Sequence, residues 1–193
     1  MYHDKLIRYF DRPGPQNTDK VIEIAKERAR ELGIKYIVVA TSSGETALKV
    51  AEAFKDLDVQ IIAVTLHAGY WKEYEAPDPK KVEKLKELGV RIVTCTHAFL
   101  GNIEEAVRKK FGGAPPAELI AHTLYIFSQG VKVAVEIVLM AADAGLIPTD
   151  EEVIAIAGTE KGADTALVIK PAYTNRFFDL EVREVIAMPR GKS

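Results

Sequence analysis

The chain has 193 residues, of which 48% are hydrophobic, so it is long enough to bury the core of one domain. Its formal net charge of -2 excludes the strongly basic surface that would indicate nucleic acid or anionic lipid as a partner. A single cysteine, Cys95, excludes an intramolecular disulfide and a cysteine-cluster zinc site. Because the first residues lack a signal peptide and no stretch approaches a membrane span, we expect a cytoplasmic protein.

Strands and helices alternate along most of the chain. Apolar runs predict strands at residues 36–41, 60–66, 90–96, 152–157 and 166–170, with a short strand at 5–10 and a final strand at 182–188. Helical periodicity predicts helices at residues 19–32, 45–57, 80–88, 102–111 and 117–127. Asn17 or Thr18 can cap the first helix. In residues 131–144 the β-branched side chains favour a strand, but the uninterrupted length favours a buried helix, which we predict.

This alternation predicts an α/β domain of three layers, with helices on both faces of one sheet. We expect five main strands in the sheet and a single domain over residues 1–193, with a C-terminal extension from about residue 172. The link between residues 157 and 166 is too short for a parallel crossover. The last two main strands should therefore pair antiparallel, which makes the sheet mixed.

The first main strand ends in a turn of small and hydroxylated residues that opens a helix. The turn and helix start consist of Thr41, Ser42, Ser43, Gly44, Glu45 and Thr46. A helix that starts in this way presents free backbone N–H groups and the positive end of its dipole, an arrangement that binds phosphate. The turn is therefore the leading candidate for an anion site.

Other strand ends carry polar residues too, including Thr65 and His67 after the second strand and His97 after the third. In open α/β sheets, ligands bind outside the carboxyl ends of the strands. The link from Gly158 to Thr165 is polar, and its two glycines permit close approach to a ligand that it could cover. The simpler interpretation of this link is an ordinary hairpin turn. These features predict a pocket along one edge of the sheet.

Simpler explanations exist for several of these residues. Ser42 and Glu45 have the spacing of a capping box, in which Ser42 is the N-cap and Glu45 returns its carboxylate to the backbone. His122 is interpreted as structural, Cys95 as a packed core thiol, and the histidine spacing predicts no metal site. Neither a nucleophile elbow nor a dinucleotide or Walker fingerprint is present, so no catalyst is evident.

The chain resembles the C-terminal α/β domain of pyruvate kinase, and more closely the stand-alone archaeal proteins of that superfamily, whose function is unknown. The resemblance covers nearly the whole chain. Besides the turn, it is carried by residues 135–143, 161–166, 170–172, 175–179 and 188–190. It implies the strand order 3-2-1-4-5 with the last strand antiparallel. The chain has no counterpart of the catalytic barrel, so the resemblance does not imply kinase activity.

The archaeal proteins are associated with flavin mononucleotide (FMN), and the resemblance implies FMN as the cofactor here. Its phosphate would lie on Ser42, Ser43, Gly44 and Thr46, and its ring would reach His67, Gly69 and the covering loop. The full set of candidate cofactor-binding residues implied in this way is Thr41, Ser42, Ser43, Gly44, Glu45, Thr46, His67, Gly69, Gly158, Thr159, Gly162 and Asp164. The acidic Glu45 disfavours a sugar bisphosphate at the same helix end.

Three functions follow as hypotheses. The leading one is an FMN-binding protein, with flavin-dependent oxidoreductase chemistry on an unidentified substrate. The alternative is a non-catalytic regulatory or sensor module that binds a small sugar phosphate, and a third is an oligomeric scaffold with a vestigial pocket. We expect a homo-oligomer, with a dimer as its simplest form, because the aromatic-rich C-terminal extension would need a partner surface.

Overall fold

The computed structural model describes residue 2 and residues 4–191. The strands are β1 (Arg8–Phe10), β2 (Tyr36–Ala40), β3 (Gln60–Val64), β4 (Arg91–Val93), β5 (Val153–Ala157), β6 (Thr165–Lys170) and β7 (Glu181–Pro189). The α-helices are α1 (Thr18–Leu32), α2 (Glu45–Phe54), α3 (Pro79–Glu87), α4 (Ile103–Phe111), α5 (Pro116–Leu124) and α6 (Gln129–Asp143). Short 3₁₀ turns cover Pro15–Asn17, Ala68–Tyr70 and Thr174–Asp179.

The expectation of a five-stranded sheet is wrong, because the sheet has seven strands in the order β1-β7-β6-β5-β2-β3-β4. The five expected strands are adjacent, and β7 and β1 extend the sheet beyond β6. Every residue of β6 except the last is buried, which fits a strand with neighbours on both sides and not an edge strand. The chain from about residue 172 therefore contributes a strand to the sheet itself.

The mixed pairing is confirmed. Strands β2, β3, β4 and β5 run parallel, while β6 lies antiparallel to both β5 and β7. Strand β1 pairs parallel with β7 at the far edge. The β5–β6 link closes as a tight connection, in which the Asp164 N–H donates to the Ala157 carbonyl at 3.0 Å.

Helices cover both faces of the sheet. Helices α1, α2 and α3 pack in one hydrophobic cluster with side chains such as Ile37 and Ile154, and α6 packs in a second cluster on the opposite face. Twelve of the fifteen residues of α6 are buried, so its apolar character runs all round the helix. This explains why its sequence also fitted a strand, and the helix prediction is confirmed. No helix within residues 4–191 is long and apolar enough to span a membrane.

The connections of β2 and β5 diverge, and we call the gap between the carboxyl ends of these two strands the crevice. The connection from β2 through α2 leads away along one face, whereas the chain reaches β5 through α6 on the other face. Neighbouring strands whose connections diverge in this way leave an opening at their carboxyl ends, which is where α/β domains bind ligands.

Candidate functional site

The turn after β2 is closed by its own first hydroxyl. The Gly44 N–H donates to Thr41 Oγ1 at 3.1 Å, and the Thr41 N–H donates to the Val64 carbonyl at 3.0 Å, which fixes the turn against β3. Thr41 and Thr46 are buried, whereas Ser42 and Ser43 are partly exposed. Thr41 therefore shapes the turn, and the two serines are its accessible hydroxyl groups.

The capping-box explanation of this turn is wrong. Gly44, and not Ser42, is the N-cap of α2, and no side chain of the described residues caps the helix. The Glu45 carboxylate instead accepts from Lys81 Nζ of α3 at 2.7 Å, and this hydrogen bond lowers the pKa of Glu45. The first turn of α2 thus keeps free N–H groups, and the charge of Glu45 is balanced by Lys81.

Glycine at position 44 meets two requirements. Its φ of 101° lies in the left-handed region, which other residues avoid. A Cβ there would also stand only 3.1 Å from Cβ of Lys81. Helix α3 borders the turn closely, since the Asp78 N–H donates to the Ser43 carbonyl at 3.0 Å. The turn is therefore held between β3 and the start of α3.

The loop of residues 158–164 follows β5, which lies beside β2 and runs parallel to it. The loop therefore lies at the same end of the sheet as the turn after β2. Its buried Asp164 accepts three hydrogen bonds: Oδ2 from the N–H groups of Gly14 (2.9 Å) and Thr159 (3.2 Å), and Oδ1 from the Thr165 hydroxyl (2.8 Å). Gly162 packs so closely on the N-terminal segment that a Cβ would lie 2.4 Å from Thr18 Oγ1. Asp164 and Gly162 anchor the loop to residues 14–18.

Gly158 is the tight point of the same loop, because a Cβ there would lie 2.8 Å from the Gly162 carbonyl oxygen. Thr159 is partly exposed. Within residues 4–191, no hydrogen bond joins this loop to the turn at residues 41–46. The loop and the turn flank the crevice from opposite sides.

His67 and Gly69 follow β3, but their contacts face β4. The His67 N–H donates to His97 Nε2 at 3.1 Å, and His67 Nδ1 accepts from the Gly69 N–H at 3.1 Å. The His67 ring also contacts the Tyr70 ring, with centroids 4.1 Å apart. This segment presents aromatic surface, including a partly exposed Trp71 whose Nε1 donates to the Leu66 carbonyl at 2.9 Å.

Strand β4 ends at Val93, three residues earlier than predicted. Cys95 therefore lies in the following loop, partly buried against the second core cluster, and burial raises the pKa of its thiol. A raised thiol pKa disfavours the reactive thiolate. His97 is buried, and burial lowers its pKa, with only partial opposition from Glu136.

The sequence prediction missed a buried ion pair beside these histidines. Lys132 and Glu136 of α6 are 3% and 4% exposed, and their charged groups lie 2.5 Å apart. Glu136 also accepts from the N–H groups of Phe99 (2.9 Å) and Leu100 (3.2 Å). Charges this deeply buried need such partners. The spacing of four residues was visible in the sequence, but their burial was not.

Two cavities lie away from the turn. One of about 700 Å³ opens at the other end of the strands, near the starts of β2, β3 and β4. Its lining includes Lys35, Gln60 and Arg91. The other, of about 140 Å³, lies between Tyr70 and Arg108. The residues described contain no cluster of three or more His, Cys, Asp or Glu side chains placed to hold a metal ion.

Together these features define a mixed α/β domain in which the uncapped N-terminus of α2 lies at the carboxyl end of β2, beside β5. Residues 19–169 match the pyruvate kinase alpha/beta domain family, so the chain belongs to that family. The expectation of a pyruvate kinase C-terminal-like α/β fold is confirmed.

Solved structures similar to this chain include pyruvate kinases from Cryptosporidium parvum. One is 18% identical and has a TM-score of 0.43, with 80% of this chain and 23% of that chain covered. A second is 17% identical with a TM-score of 0.41, covering 80% and 22%. A third, solved in complex with ADP, is 19% identical with a TM-score of 0.39, covering 78% and 22%. This chain thus spans less than a quarter of the length of these enzymes.

Proposed function

We propose that the protein binds FMN, with the phosphate of the ligand held at the N-terminus of α2. The observation that carries this proposal is the uncapped first turn of α2, which opens at the crevice between β2 and β5. Free N–H groups of that turn and the hydroxyls of Ser42 and Ser43 are donors suited to a phosphate monoester. The Lys81–Glu45 pair adds no net negative charge at this helix end.

Aromatic groups near the end of β3 support a flavin over an aliphatic ligand. The segment around His67 and Tyr70 forms an aromatic cluster, and Trp71 is 36% exposed. Planar rings of this kind provide surfaces on which an isoalloxazine ring can stack. Bound flavin would supply redox chemistry, and the proposed reaction is a flavin-dependent oxidation or reduction of an unidentified substrate.

One observation favours a smaller ligand and supports the second candidate, a sensor module for a sugar phosphate. The cavities of about 700 and 140 Å³ described above are both lined by residues outside the turn at residues 41–46. A drug-sized ligand typically occupies a cleft of roughly 300–1,000 Å³. A small sugar phosphate would need only the donors of the turn and little enclosed volume.

The comparison of FMN with riboflavin tests the proposal, because the two differ only in the phosphate. We expect riboflavin to bind at least about 100-fold more weakly, since two or more charge-assisted hydrogen bonds are lost. Ser42→Asp should abolish FMN binding by placing a negative charge at the helix start, whereas the control Ser42→Ala should weaken it by about tenfold or less. Equal affinities for FMN and riboflavin would refute the phosphate site.

A thermal-shift screen separates the two candidate ligands. A ligand that binds only the native state raises the free energy of unfolding by about 2.7 kcal/mol at 100 times its dissociation constant. Stabilisation by sugar phosphates and not by FMN would favour the sensor module. Stabilisation by neither ligand class would leave the scaffold hypothesis, and colourless purified protein would count against a tightly bound flavin.

A further inference from the structure

Residues 67–74 form a short segment between β3 and α3, which we call the aromatic segment. Its rings belong to His67, Tyr70, Trp71 and Tyr74, and none of its residues is buried. The Tyr70 N–H donates to the His67 carbonyl at 3.0 Å, and the Tyr74 N–H donates to the Tyr70 carbonyl at 2.9 Å. Because these backbone bonds lie within the segment itself, its position depends on few contacts with the rest of the protein.

Apart from a bond to the adjacent Leu66, two hydrogen bonds join the aromatic segment to the rest of the described chain. The Tyr70 hydroxyl donates to Glu105 of α4. The His67 N–H donates to Nε2 of His97 at 3.1 Å, and this bond holds the backbone of the segment. The rings of His67 and Tyr70 also cover the His97 ring, with centroids 4.8 and 5.7 Å from it. His97 is therefore the main attachment point of the aromatic segment.

The loop that carries His97 is fastened to α6. The N–H groups of Phe99 and Leu100 donate to the buried carboxylate of Glu136 at 2.9 and 3.2 Å. His97 itself is 9% exposed. Because its Nε2 accepts the N–H of His67, the neutral ring carries its proton on Nδ1. The two sides of this hydrogen bond therefore differ, since the acceptor lies on an anchored loop and the donor on an exposed segment.

We propose that His97 is a pH-sensitive switch, in which protonation of Nε2 releases the aromatic segment from the protein. A protonated imidazole has two donors and no acceptor. The N–H groups of His97 and His67 would then point at each other across the 3.1 Å that now separates a donor from an acceptor. Since Glu136 anchors the loop of His97, the aromatic segment is the side that moves.

A second group in the same contact favours release. His67 Nδ1 accepts from the Gly69 N–H at 3.1 Å, which places the proton of the neutral His67 ring on Nε2. This Nε2 is buried and has no hydrogen-bond partner among the residues that the structure describes. A buried donor without a partner costs free energy, and water satisfies it once the segment moves away. The closed arrangement thus contains an unfavourable group, so the loss of one hydrogen bond can open it.

The groups around His97 set the direction of the response. From α6, Glu136 favours the charged ring and Lys132 opposes it. From the aromatic segment, His67 opposes the charged ring as well, and Tyr70 contributes an uncharged ring. Burial has the largest influence and lowers the pKa of His97. Release uncovers the ring, so the open state binds the proton more tightly. Acidification below the ordinary pKa of 6.5 therefore drives opening.

Amide hydrogen exchange of the full chain, followed by NMR, tests the switch without any ligand, so the result is independent of FMN binding. Between about pH 7.5 and 5, we expect the protection factor of the His67 amide to fall by up to about tenfold per pH unit. The His97 ring signals should titrate below pH 6.5, in the same range. The Ile62 amide in the buried part of β3 should stay protected. Trp71 is the only tryptophan, so acrylamide quenching of its fluorescence should increase with opening.

The variant His97→Gln separates the switch from other titrating groups. Its side-chain oxygen can accept the His67 N–H at every pH, so the protection of that amide should no longer depend on pH. The matched control His122→Gln replaces a histidine of α5 whose side chain is 64% exposed, and it should keep the wild-type response. Circular dichroism verifies that both variants fold.

Three results would overturn the proposal. They are a His67 amide equally protected at both ends of the pH range, a response that persists in His97→Gln, and a loss of protection at Ile62 together with His67, which would show unfolding of the sheet. If His97→Gln does not fold, the wild-type titration decides: loss of His67 protection in a pH range where the His97 ring does not titrate would also overturn it.

Discussion

Asp164 provides a direct test of how the loop beside the crevice is held. Its carboxylate is fully buried and accepts hydrogen bonds from Gly14, Thr159 and Thr165. Asp164→Ala removes all three bonds at once. The Thr165 hydroxyl can turn to another acceptor, but the N–H groups of Gly14 and Thr159 are fixed by the backbone and lose their partner.

The cost follows from these two N–H groups. A buried donor left without a partner costs about 1–3 kcal/mol, and the Gly14 N–H is buried while the Thr159 N–H is partly buried. We therefore expect Asp164→Ala to lower the free energy of unfolding by about 3 kcal/mol. For a chain of 193 residues this corresponds to a fall in the melting temperature of roughly 6–12 °C.

Urea unfolding and differential scanning calorimetry measure both quantities. Asp164→Asn retains an amide oxygen that can accept from the two N–H groups, so it should cost only about 1 kcal/mol. Asp58→Ala is the matched control, because Asp58 is fully exposed and its ion pair with Lys35 spans 3.3 Å; it should change stability by less than about 0.5 kcal/mol. If Asp164→Ala were no more destabilising than Asp58→Ala, the loop would not be anchored through this carboxylate.

Two further predictions concern the buried groups near β4. Burial lowers the pKa of His97 below its ordinary value of 6.5. The unfolded chain therefore binds a proton at His97 more tightly than the folded chain does. The stability that is present above pH 6.5 is lost as the pH falls towards the folded-state pKa. Urea unfolding should show this loss in wild type and not in His97→Gln; equal pH dependence would contradict it. Lys132→Met leaves Glu136 buried without its cation and should cost about 3–5 kcal/mol. The control Lys20→Met, at an exposed pair, should cost less than about 1 kcal/mol, and similar losses in both variants would refute the burial argument.

Most strands and helices followed well from the sequence, because the central strands are continuous apolar runs and most helices have an apolar period. Helix α6 shows the limit of periodicity: it is buried on nearly all sides, so its sequence also satisfied a strand and only its length decided between them. The edge of the sheet was harder to predict. Polar and apolar residues alternate over only part of β7. One of its two partners, β1, lies at the opposite end of the chain.

The turn after β2 was located from the sequence, but its detailed geometry was not. A Ser-x-x-Glu spacing favours a capping box, yet Glu45 lies beside Lys81, a residue that α3 brings near only in the folded chain. The burial of Lys132 was hidden for the same reason. Sequence spacing shows which residues share a side of a helix, whereas tertiary packing decides which side faces the protein.

The most direct test of the account is an NMR titration of the isotopically labelled protein with FMN, followed through the backbone amides. Phosphate binding at the start of α2 predicts saturable shifts concentrated in the amides of Ser43, Gly44, Glu45 and Thr46, with much smaller shifts for riboflavin. Shifts confined to the cleft around Lys35 and Arg91, or no saturable shift at all, would contradict the assignment of the turn as the phosphate site.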